Sequence, residues 1–291
     1  MIKKTKGKRK IEVAIISDVH LGTYGCHAKE LLLYLKSIKP KTVVLNGDII
    51  DVWQFSKNYF PKSHMKIVRH LMVWASKGIK TYYITGNHDE MLRKFAGFKM
   101  GSLRIVNKFV LEIGENKKAW IFHGDVFDVT MQHSKWLAKL GAIGYDTLIL
   151  INRFANFISE KVFKKGKLSF SKKIKDSVKS AVKFINNFEQ TAADIGIANG
   201  YDYVVCGHIH QPELRVISNE AGSITYLNSG DWIENLTALE YVNNEWKIFK
   251  YSAEEFKNSI EEKEEESDLN NQQLFDNLLQ EFNIMKTHST L

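Results

Sequence analysis

Residues 81–90 read TYYITGNHDE, an apolar run of β-branched and aromatic residues that ends abruptly in Gly-Asn-His-Asp-Glu. Such a run, bounded by turn residues, predicts a buried β-strand. Comparable runs lie at 11–17, 42–46, 119–122, 203–206 and 224–229, and helical patterns separate them, for example at 28–38 and 64–77. The alternation predicts an α/β fold with the sheet as its core.

Five of the six predicted strands are followed directly by side chains of metal-binding type. In chain order these side chains are Asp18 and His20, Asp48, Asn87 and His88, His123, and His208 and His210. Ligands of α/β sheets bind beyond the carboxyl ends of the strands, where the loops converge. A single Asp-x-His or Gly-Asp is common by chance, but five such strand ends in succession predict one shared site.

Carboxylate, imidazole and amide side chains without a thiolate suit two divalent ions such as Mn²⁺, Fe²⁺ or Zn²⁺. A carboxylate that bridges two such ions holds them about 3.5–4 Å apart, so that both act on one phosphoryl group. We assign Asp48 to the bridge. The remaining ligands are divided between the ions, with Asp18, His20 and His210 on one and Asn87, His123 and His208 on the other.

The motif order D-x-H, G-D, G-N-H-[DE], H and G-H-x-H over residues 16–210 resembles the calcineurin-like metallophosphoesterase superfamily. The resemblance implies a four-layer β-sandwich flanked by helices, with a dimetal site at one end. It also implies that a metal-bound hydroxide attacks phosphorus in line, and that Asn87 both binds metal and anchors the substrate. His88 would act as acid or stabilise the leaving oxygen, or alternatively would only orient a metal ligand. Asp89 is expected to orient a neighbouring group such as an imidazole.

The second motif distinguishes branches of this superfamily. Phosphoprotein phosphatases read G-D-x-V-D-R-G there, whereas this chain reads GDIIDVW (47–53), with Val52 in place of the Arg. Together with GHIHQP (207–212) and LNSGDW (227–232), the motif is similar to the UDP-2,3-diacylglucosamine diphosphatase branch. That branch cleaves the substrate's pyrophosphate to UMP and a diacylglucosamine phosphate in lipid A synthesis, usually with Mn²⁺. Its well-known members have Arg at the position of His88, so their grip on the pyrophosphate is not carried over.

We expect a metallophosphoesterase domain over 11–251 that contains a helical insertion over 128–195. Within the insertion, residues 134–158 are apolar at helical spacing, and 161–183 hold nine lysines against one acid. Such an insertion would close over the site as a lid that takes acyl chains, or would simply pack on the core. The same pattern suits an anionic membrane surface. Candidate phosphate contacts on one helix face are Lys172, Lys175 and Lys179.

The net charge of +8 is unevenly distributed. The acidic tail 252–291 carries ten acids against three bases, or −7, which leaves about +15 on the rest, including a basic tail at 1–10. A basic body favours anionic partners such as a nucleotide-linked glycolipid. We expect no nucleic-acid partner, because the sequence has no recognised nucleic-acid-binding module. The acidic tail is expected to be disordered.

The sequence contains no signal peptide, no apolar run of membrane-spanning length and only two cysteines, Cys26 and Cys206. We therefore expect a cytoplasmic protein, at most peripheral on the inner membrane. Two other functions stay open. One is a nuclease or cyclic-nucleotide phosphodiesterase on the same scaffold, and the other is a non-catalytic scaffold that uses the fold for protein binding.

Overall fold

Two β-sheets dominate the computed structural model, which describes residues 7–52, 60–127 and 185–260, with side chains to residue 256. In the described chain the strands are β1 (Arg9–Ile16), β2 (Ile38–Asn46), β3 (Lys80–Ile84), β4 (Lys99–Met100), β5 (Leu103–Val106), β6 (Lys108–Ile113), β7 (Lys117–Phe122), β8 (Tyr203–Cys206), β9 (Glu213–Asn219), β10 (Gly222–Asn228), β11 (Thr237–Val242) and β12 (Glu245–Lys250). The helices are α1 (Ala28–Ser37), α2 (Lys62–Ser76), a 3₁₀ helix at Glu90–Phe95, helical residues 185–198 and a last helix at Ala253–Ile260.

The first sheet has the strand order β12-β11-β1-β2-β3-β5-β4, and the second has β6-β7-β8-β10-β9. β1, β2 and β3 are parallel neighbours in the first sheet, and β7 and β8 are parallel neighbours in the second. Each of these five strands ends where a predicted ligand motif begins. The topology therefore carries the motifs on the carboxyl ends of two groups of parallel strands.

Side-chain alternation along β1 shows how the layers are held together. Val13 and Ile15 join a buried cluster with residues of the second sheet, including Ile121 and Leu227. Their neighbours on the opposite face, such as Ala14, belong to a second cluster that includes side chains of α1 and α2. Period-two burial on both faces is what a central strand of a covered sheet requires.

The second sheet is also covered by a helix on its outer face. A Cβ at Gly196 would lie against the side chains of Ile224 and Val204, so the helix approaches the sheet closely there. The layer order is helix, sheet, sheet, helix, which confirms the predicted α/β sandwich flanked by helices. All six predicted strands are present, and both predicted helices are found within two residues of their expected ends.

Most of the predicted insertion, residues 128–184, lies outside the described residues, as do 1–6, 53–59 and 261–291. Residues 125–191 form a compact unit separate from the rest of the chain. Within the described part of that unit, the rings of Phe127 and Phe188 meet edge to face at 5.5 Å. The domain and insertion boundaries remain predictions.

Both predicted tails contain ordered residues at their inner ends. Arg9 lies in β1 and pairs with Glu240 through two hydrogen bonds of 2.7 and 2.9 Å. At the other end, Phe256, which lies in the helix that follows β12, stacks on the ring of Tyr251 at 5.0 Å. Regular structure therefore extends nine residues past residue 251, the expected end of the domain, to Ile260.

Candidate metal centre

Three overlapping groups of side chains lie at the carboxyl ends of the parallel strands. Within each group, one potential ligand atom per residue lies within 4.8 Å of the others. The groups are Asp18, His20 and His210; Asp48, His123 and His208; and His20, Asp48 and His88. The first group is the predicted set of one ion, and Asp48 belongs to two groups, as a carboxylate between two ions would. The structure thus brings together the six predicted His and Asp ligands, and their roles as ligands remain predictions.

Several polar atoms of this cluster are buried without a hydrogen bond. His20 Nε2 and Asn87 Oδ1 have no such partner, and neither has Asp18 Oδ1, although it lies 3.1 Å from His210 Nε2. A buried polar atom left in this way costs about 1–3 kcal/mol. All three are lone-pair donors of a kind that binds divalent metal ions. The arrangement therefore fits metal ions held between these side chains.

The electrostatics of the cluster agree with this reading. Burial by itself raises the pKa of Asp18, but the imidazole of His210 outweighs it, so that the pKa is lowered. Conversely, burial lowers the pKa of His210, yet Asp18 raises it to about 9. The pKa of Asp48 is held well below its ordinary value by His123 and His20 in spite of burial. These carboxylates are anionic at neutral pH, and metal binding at His210 would release the proton that Asp18 stabilises on its imidazole.

The backbone at the predicted ligands adopts an uncommon conformation. Asp18, His20, Asp48, His208 and His210 all have positive φ, between 52° and 68°. Non-glycine residues in this region carry strain of about 1–3 kcal/mol each and persist only where the surroundings hold them. Two of the carboxylates supply such support, since Asp48 Oδ1 accepts the His88 amide at 2.9 Å and Asp18 Oδ2 accepts the His208 amide at 3.2 Å.

Glycine is required where loops from different strands meet. A Cβ at Gly86 would overlap Oδ1 of Asp48, although the backbone of Gly86 is not left-handed. At Gly47 both needs coincide, because φ is +82° and a Cβ would overlap the ring of His123. The glycines thus allow side chains from three strand ends to approach one another.

Asp51 has a role that the sequence did not reveal. Its Oδ2 lies 2.9 Å from Nδ1 of His88 and 3.3 Å from Nδ1 of His20, and the side chain is buried. One carboxylate oxygen therefore orients two imidazoles through their Nδ1 atoms and leaves their Nε2 atoms for other partners. Burial lowers the pKa of His88, but the Asp51 hydrogen bond and the neighbouring carboxylates raise it above 6.5. The only sequence signal was an acidic residue three positions after Asp48.

Asp89 orients backbone rather than an imidazole. Its Oδ1 accepts the Gly86 amide at 2.6 Å, and its Oδ2 accepts the Tyr83 hydroxyl at 2.6 Å and the Ile49 amide at 3.0 Å. The expectation of an imidazole partner is therefore corrected. The carboxylate instead joins the loop after β3 to the loop after β2, which fixes Asn87 relative to Asp48.

His123 is oriented by the last residue of β2. Its Nδ1 donates to the carbonyl of Asn46 at 2.8 Å, and its Nε2 lies 3.3 Å from Asp48 Oδ2. A hydrogen bond at Nδ1 selects the tautomer whose Nε2 lone pair is available to a metal ion.

Residues 227–235, which start with LNSGDW at the end of β10, support the first group of ligands. The Trp232 amide donates to the Asp18 carbonyl at 3.1 Å, and Asn235 Nδ2 donates to the His210 carbonyl at 2.8 Å. Ser17 and Ser229 share a hydroxyl–hydroxyl hydrogen bond of 2.6 Å. This segment therefore holds the loops after β1 and β8 together from behind.

The predicted phosphate contacts Lys172, Lys175 and Lys179, and Trp53 of the second motif, lie outside the described residues. Cys26 and Cys206 are not joined in a disulfide. His64 is buried, and its Nδ1 accepts the Gly22 amide at 2.9 Å, close to the loop of His20.

The family profile of calcineurin-like phosphoesterases matches residues 11–212, more than half of the chain. This protein belongs to the calcineurin-like phosphoesterase family. The match includes every motif that converges on the metal centre. As a member of this family, the protein is a metal-dependent phosphoesterase.

Several relatives of this calcineurin-like phosphoesterase carry specific names. The UDP-2,3-diacylglucosamine hydrolase of Blochmanniella pennsylvanica is 24% identical over 219 residues, 71% of this chain and 82% of the relative. That of Aliivibrio fischeri is 23% identical over 258 residues, 84% and 99% of the two chains. The DNA double-strand break repair protein Mre11 of Methanococcus maripaludis is 26% identical over 242 residues, 79% of this chain and 59% of the relative. Among residues 7–52, 60–127 and 185–260, no helix is long and apolar enough to cross a membrane.

Proposed function

We propose that this phosphoesterase hydrolyses the pyrophosphate of UDP-2,3-diacylglucosamine to UMP and 2,3-diacylglucosamine 1-phosphate, a step of lipid A synthesis. The observation that carries the proposal is the convergence of two carboxylates and five imidazoles into overlapping groups at the strand ends. The spacing suits two ions acting on one phosphoryl group rather than a single structural ion.

In this proposal Asp18, His20 and His210 hold one ion, Asn87, His123 and His208 hold the other, and Asp48 touches both. When bound, such ions supply Lewis acidity toward phosphoryl oxygens and a water of lowered pKa, and we propose Mn²⁺ as the ion in use. The buried Oδ1 of Asn87, which has no hydrogen bond, is the atom that faces an ion. Its amide nitrogen is then directed to a phosphoryl oxygen and positions the substrate.

His88 donates a hydrogen bond, or a proton, from Nε2 to an oxygen of the scissile phosphate. Three facts support this role. Its Nδ1 is bound to Asp51, its pKa is raised, and it stands in a group with His20 and Asp48 without being needed as a ligand. A protonated imidazole stabilises charge on phosphoryl oxygens and can serve as acid for the leaving group.

The choice of substrate is supported by motifs and by names. The LNSGDW segment, similar to the diphosphatase branch, braces the loop of Asp18 through the Trp232 amide, and Asn235, three residues further on, braces the loop of His210. Relatives named for UDP-2,3-diacylglucosamine align over most of both chains, although they are 19–26% identical. With a glycolipid substrate, we propose in addition a peripheral contact between the protein and an anionic membrane. We also propose that residues 128–195 form a lid whose lysines contact the phosphates of the substrate.

The test is hydrolysis of UDP-2,3-diacylglucosamine in detergent with added Mn²⁺, with products identified by mass spectrometry. We expect UMP and the lipid phosphate from the native protein, and a rate lower by at least 10³-fold from Asp48→Ala. Asp194→Ala, at an exposed aspartate that binds Asn219, is the matched control and should keep the native rate. If the native protein binds two metal ions per chain and cleaves bis(p-nitrophenyl) phosphate but not this substrate, the substrate assignment is wrong and the phosphoesterase stands.

The similarity to an archaeal Mre11 gives the nuclease alternative a specific basis. Single- and double-stranded DNA and a cyclic nucleotide should be assayed with the same preparation. Cleavage of DNA without cleavage of the glycolipid would favour that alternative. A non-catalytic scaffold would bind little metal and cleave none of these compounds.

A further inference from the structure

The segment that follows Asp89 exposes an unusual concentration of large apolar side chains. Ten large hydrophobic residues are exposed in the part of the chain that the structure describes, and three of them lie within eight residues. Met91, Phe95 and Phe98 are 51%, 53% and 51% exposed. Single exposed apolar residues are normal on protein surfaces, but a contiguous group indicates a surface that contacts something.

The fold holds these side chains outward. Leu92 packs against the core, while Met91 and Phe95 in the same 3₁₀ helix remain exposed. The Phe98 amide donates to the Phe95 carbonyl at 2.9 Å, and residues 97 and 98 are tied to Ile105 by two backbone hydrogen bonds of 2.8 and 3.0 Å. With its backbone fixed in this way, the segment presents both phenyl rings to solvent instead of folding them inward.

The basic residues around Phe95 and Phe98 favour an anionic partner. Residues 90–104 contain four basic residues, Arg93, Lys94, Lys99 and Arg104, against one acidic residue, Glu90. Lys94 and Lys99 are exposed beside the phenylalanines. Aromatic and apolar side chains that enter the headgroup region, flanked by lysines that meet anionic phosphates, are the pattern of interfacial membrane binding. A protein partner for such a patch would need acidic and apolar groups interleaved in the same way.

We propose that residues 91–99, named here the apolar–basic loop, dock this protein on an anionic lipid surface. The loop begins at the edge of the metal centre, because the Leu92 amide donates to the Asp89 carbonyl and Arg93 Nη2 lies 3.4 Å from the Gly86 carbonyl. Lipid contact at this loop would bring the loop of Asn87 and His88 to the membrane interface. That consequence rests on the proposed function, since it matters only for a lipid-linked substrate.

The test is co-sedimentation of the full-length protein with vesicles of phosphatidylethanolamine containing about one-quarter phosphatidylglycerol, beside vesicles of phosphatidylcholine alone. We expect binding to the anionic vesicles, weakened by salt. Met91→Ser/Phe95→Ser/Phe98→Ser should lower the partition coefficient at least tenfold. Lys94→Gln/Lys99→Gln should lower it by about fivefold per lysine at low salt.

The matched control is Leu214→Ser/Val216→Ser, which removes two exposed apolar residues from β9, and it should bind vesicles like the native protein. All variants should hydrolyse bis(p-nitrophenyl) phosphate at the native rate, which shows that they are folded. Native vesicle binding by the triple variant would overturn the proposal, even if the chain binds lipid through another segment, and so would a native protein that binds no vesicles.

The vesicles contain no nucleotide, so the result does not depend on the substrate. Lipid binding through the loop without cleavage of UDP-2,3-diacylglucosamine would defeat the proposed function and leave this inference standing. Cleavage of the detergent-dispersed substrate without lipid binding would do the reverse.

Discussion

The carboxylate of Asp51 lies 2.9 Å from Nδ1 of His88, and the same oxygen is 3.3 Å from a second imidazole that belongs to the predicted metal ligands. One buried carboxylate thus couples His88, which we propose to face the substrate, to His20, which we propose to bind an ion. This coupling makes Asp51 a positioning residue whose removal should affect both functions.

Asp51→Asn should keep the fold but weaken both imidazoles, with metal affinity or turnover reduced about 10–100-fold. Because Asp51 raises the pKa of His88, its loss lets His88 lose its proton at lower pH, and the alkaline decline of activity should begin at lower pH. The pH–rate profile on bis(p-nitrophenyl) phosphate measures this shift, and His88→Gln should remove the decline. An unchanged pH–rate profile in Asp51→Asn would show that the carboxylate of Asp51 does not control the protonation of His88.

His88→Arg should retain far more activity than His88→Gln. An arginine supplies positive charge and hydrogen bonds to a phosphoryl oxygen, whereas glutamine supplies no charge. We expect a loss of about 100-fold or more for glutamine, within the range of general acid–base contributions. The measurement is kcat for a pyrophosphate substrate with metal content checked in each variant. Equal losses in both variants would instead assign His88 the specific role of proton donor.

Gly207→Ala should displace the predicted ligand Asp18 although every ligand side chain keeps its chemical identity. A Cβ there would lie 2.7 Å from Asp18 Oδ2 and 2.8 Å from Ser17 Oγ, distances that force one of the groups to move. We expect metal affinity to fall at least tenfold, measured by equilibrium dialysis and elemental analysis. Gly7→Ala, where nothing lies within 4 Å, is the matched control. Native affinity in Gly207→Ala would mean that Asp18 is not held where the structure has it.

His64 should make stability depend on pH. Burial lowers its pKa from 6.5 to about 4, so between these values the unfolded chain binds a proton that the folded chain does not. The stability that the neutral, buried His64 contributes is therefore present above pH 6.5 and lost as the pH falls toward 4. The difference in unfolding free energy between the native protein and His64→Gln should shrink by about 2 kcal/mol from pH 7 to pH 5.

Urea denaturation at both pH values measures this difference, and the other titrating groups cancel because both proteins contain them. A difference that stays constant between pH 7 and pH 5 would show that His64 takes up its proton in the folded state as readily as in the unfolded chain.

The strand ends were predictable because two independent patterns coincide there. At the ends of β1, β2, β3, β7 and β8 an apolar run stops and a ligand motif begins, and at β2, β3 and β8 a glycine marks the boundary. Strands without such an ending gave weaker signals. β9 is mostly exposed and alternates charged with apolar residues, and β4 has only two residues, so neither stands out as a buried strand.

The partners of Asp51 and Asp89 could not be predicted for a different reason. Asp51 follows β2, but its contacts come from the loops after β1 and β3, and only the parallel order of the three strands brings them together. Asp89 is expected from the sequence to orient a neighbouring group such as an imidazole. Its actual partners are backbone amides and the hydroxyl of Tyr83, because the side chain of Asp89 lies against the backbone of its own loop.

The ligand carboxylates also serve as hydrogen-bond acceptors for the loops of other strands, as with Asp48 and the amide of His88, and Asp18 and the amide of His208. Each loop is thereby braced by a carboxylate of a neighbouring loop. We expect a centre held in this way to keep its shape when metal is chelated, so that one ion can be exchanged for another without refolding. It also follows that alanine at Asp18 or Asp48 releases a neighbouring loop as well as an ion, and asparagine is the substitution that separates the two effects.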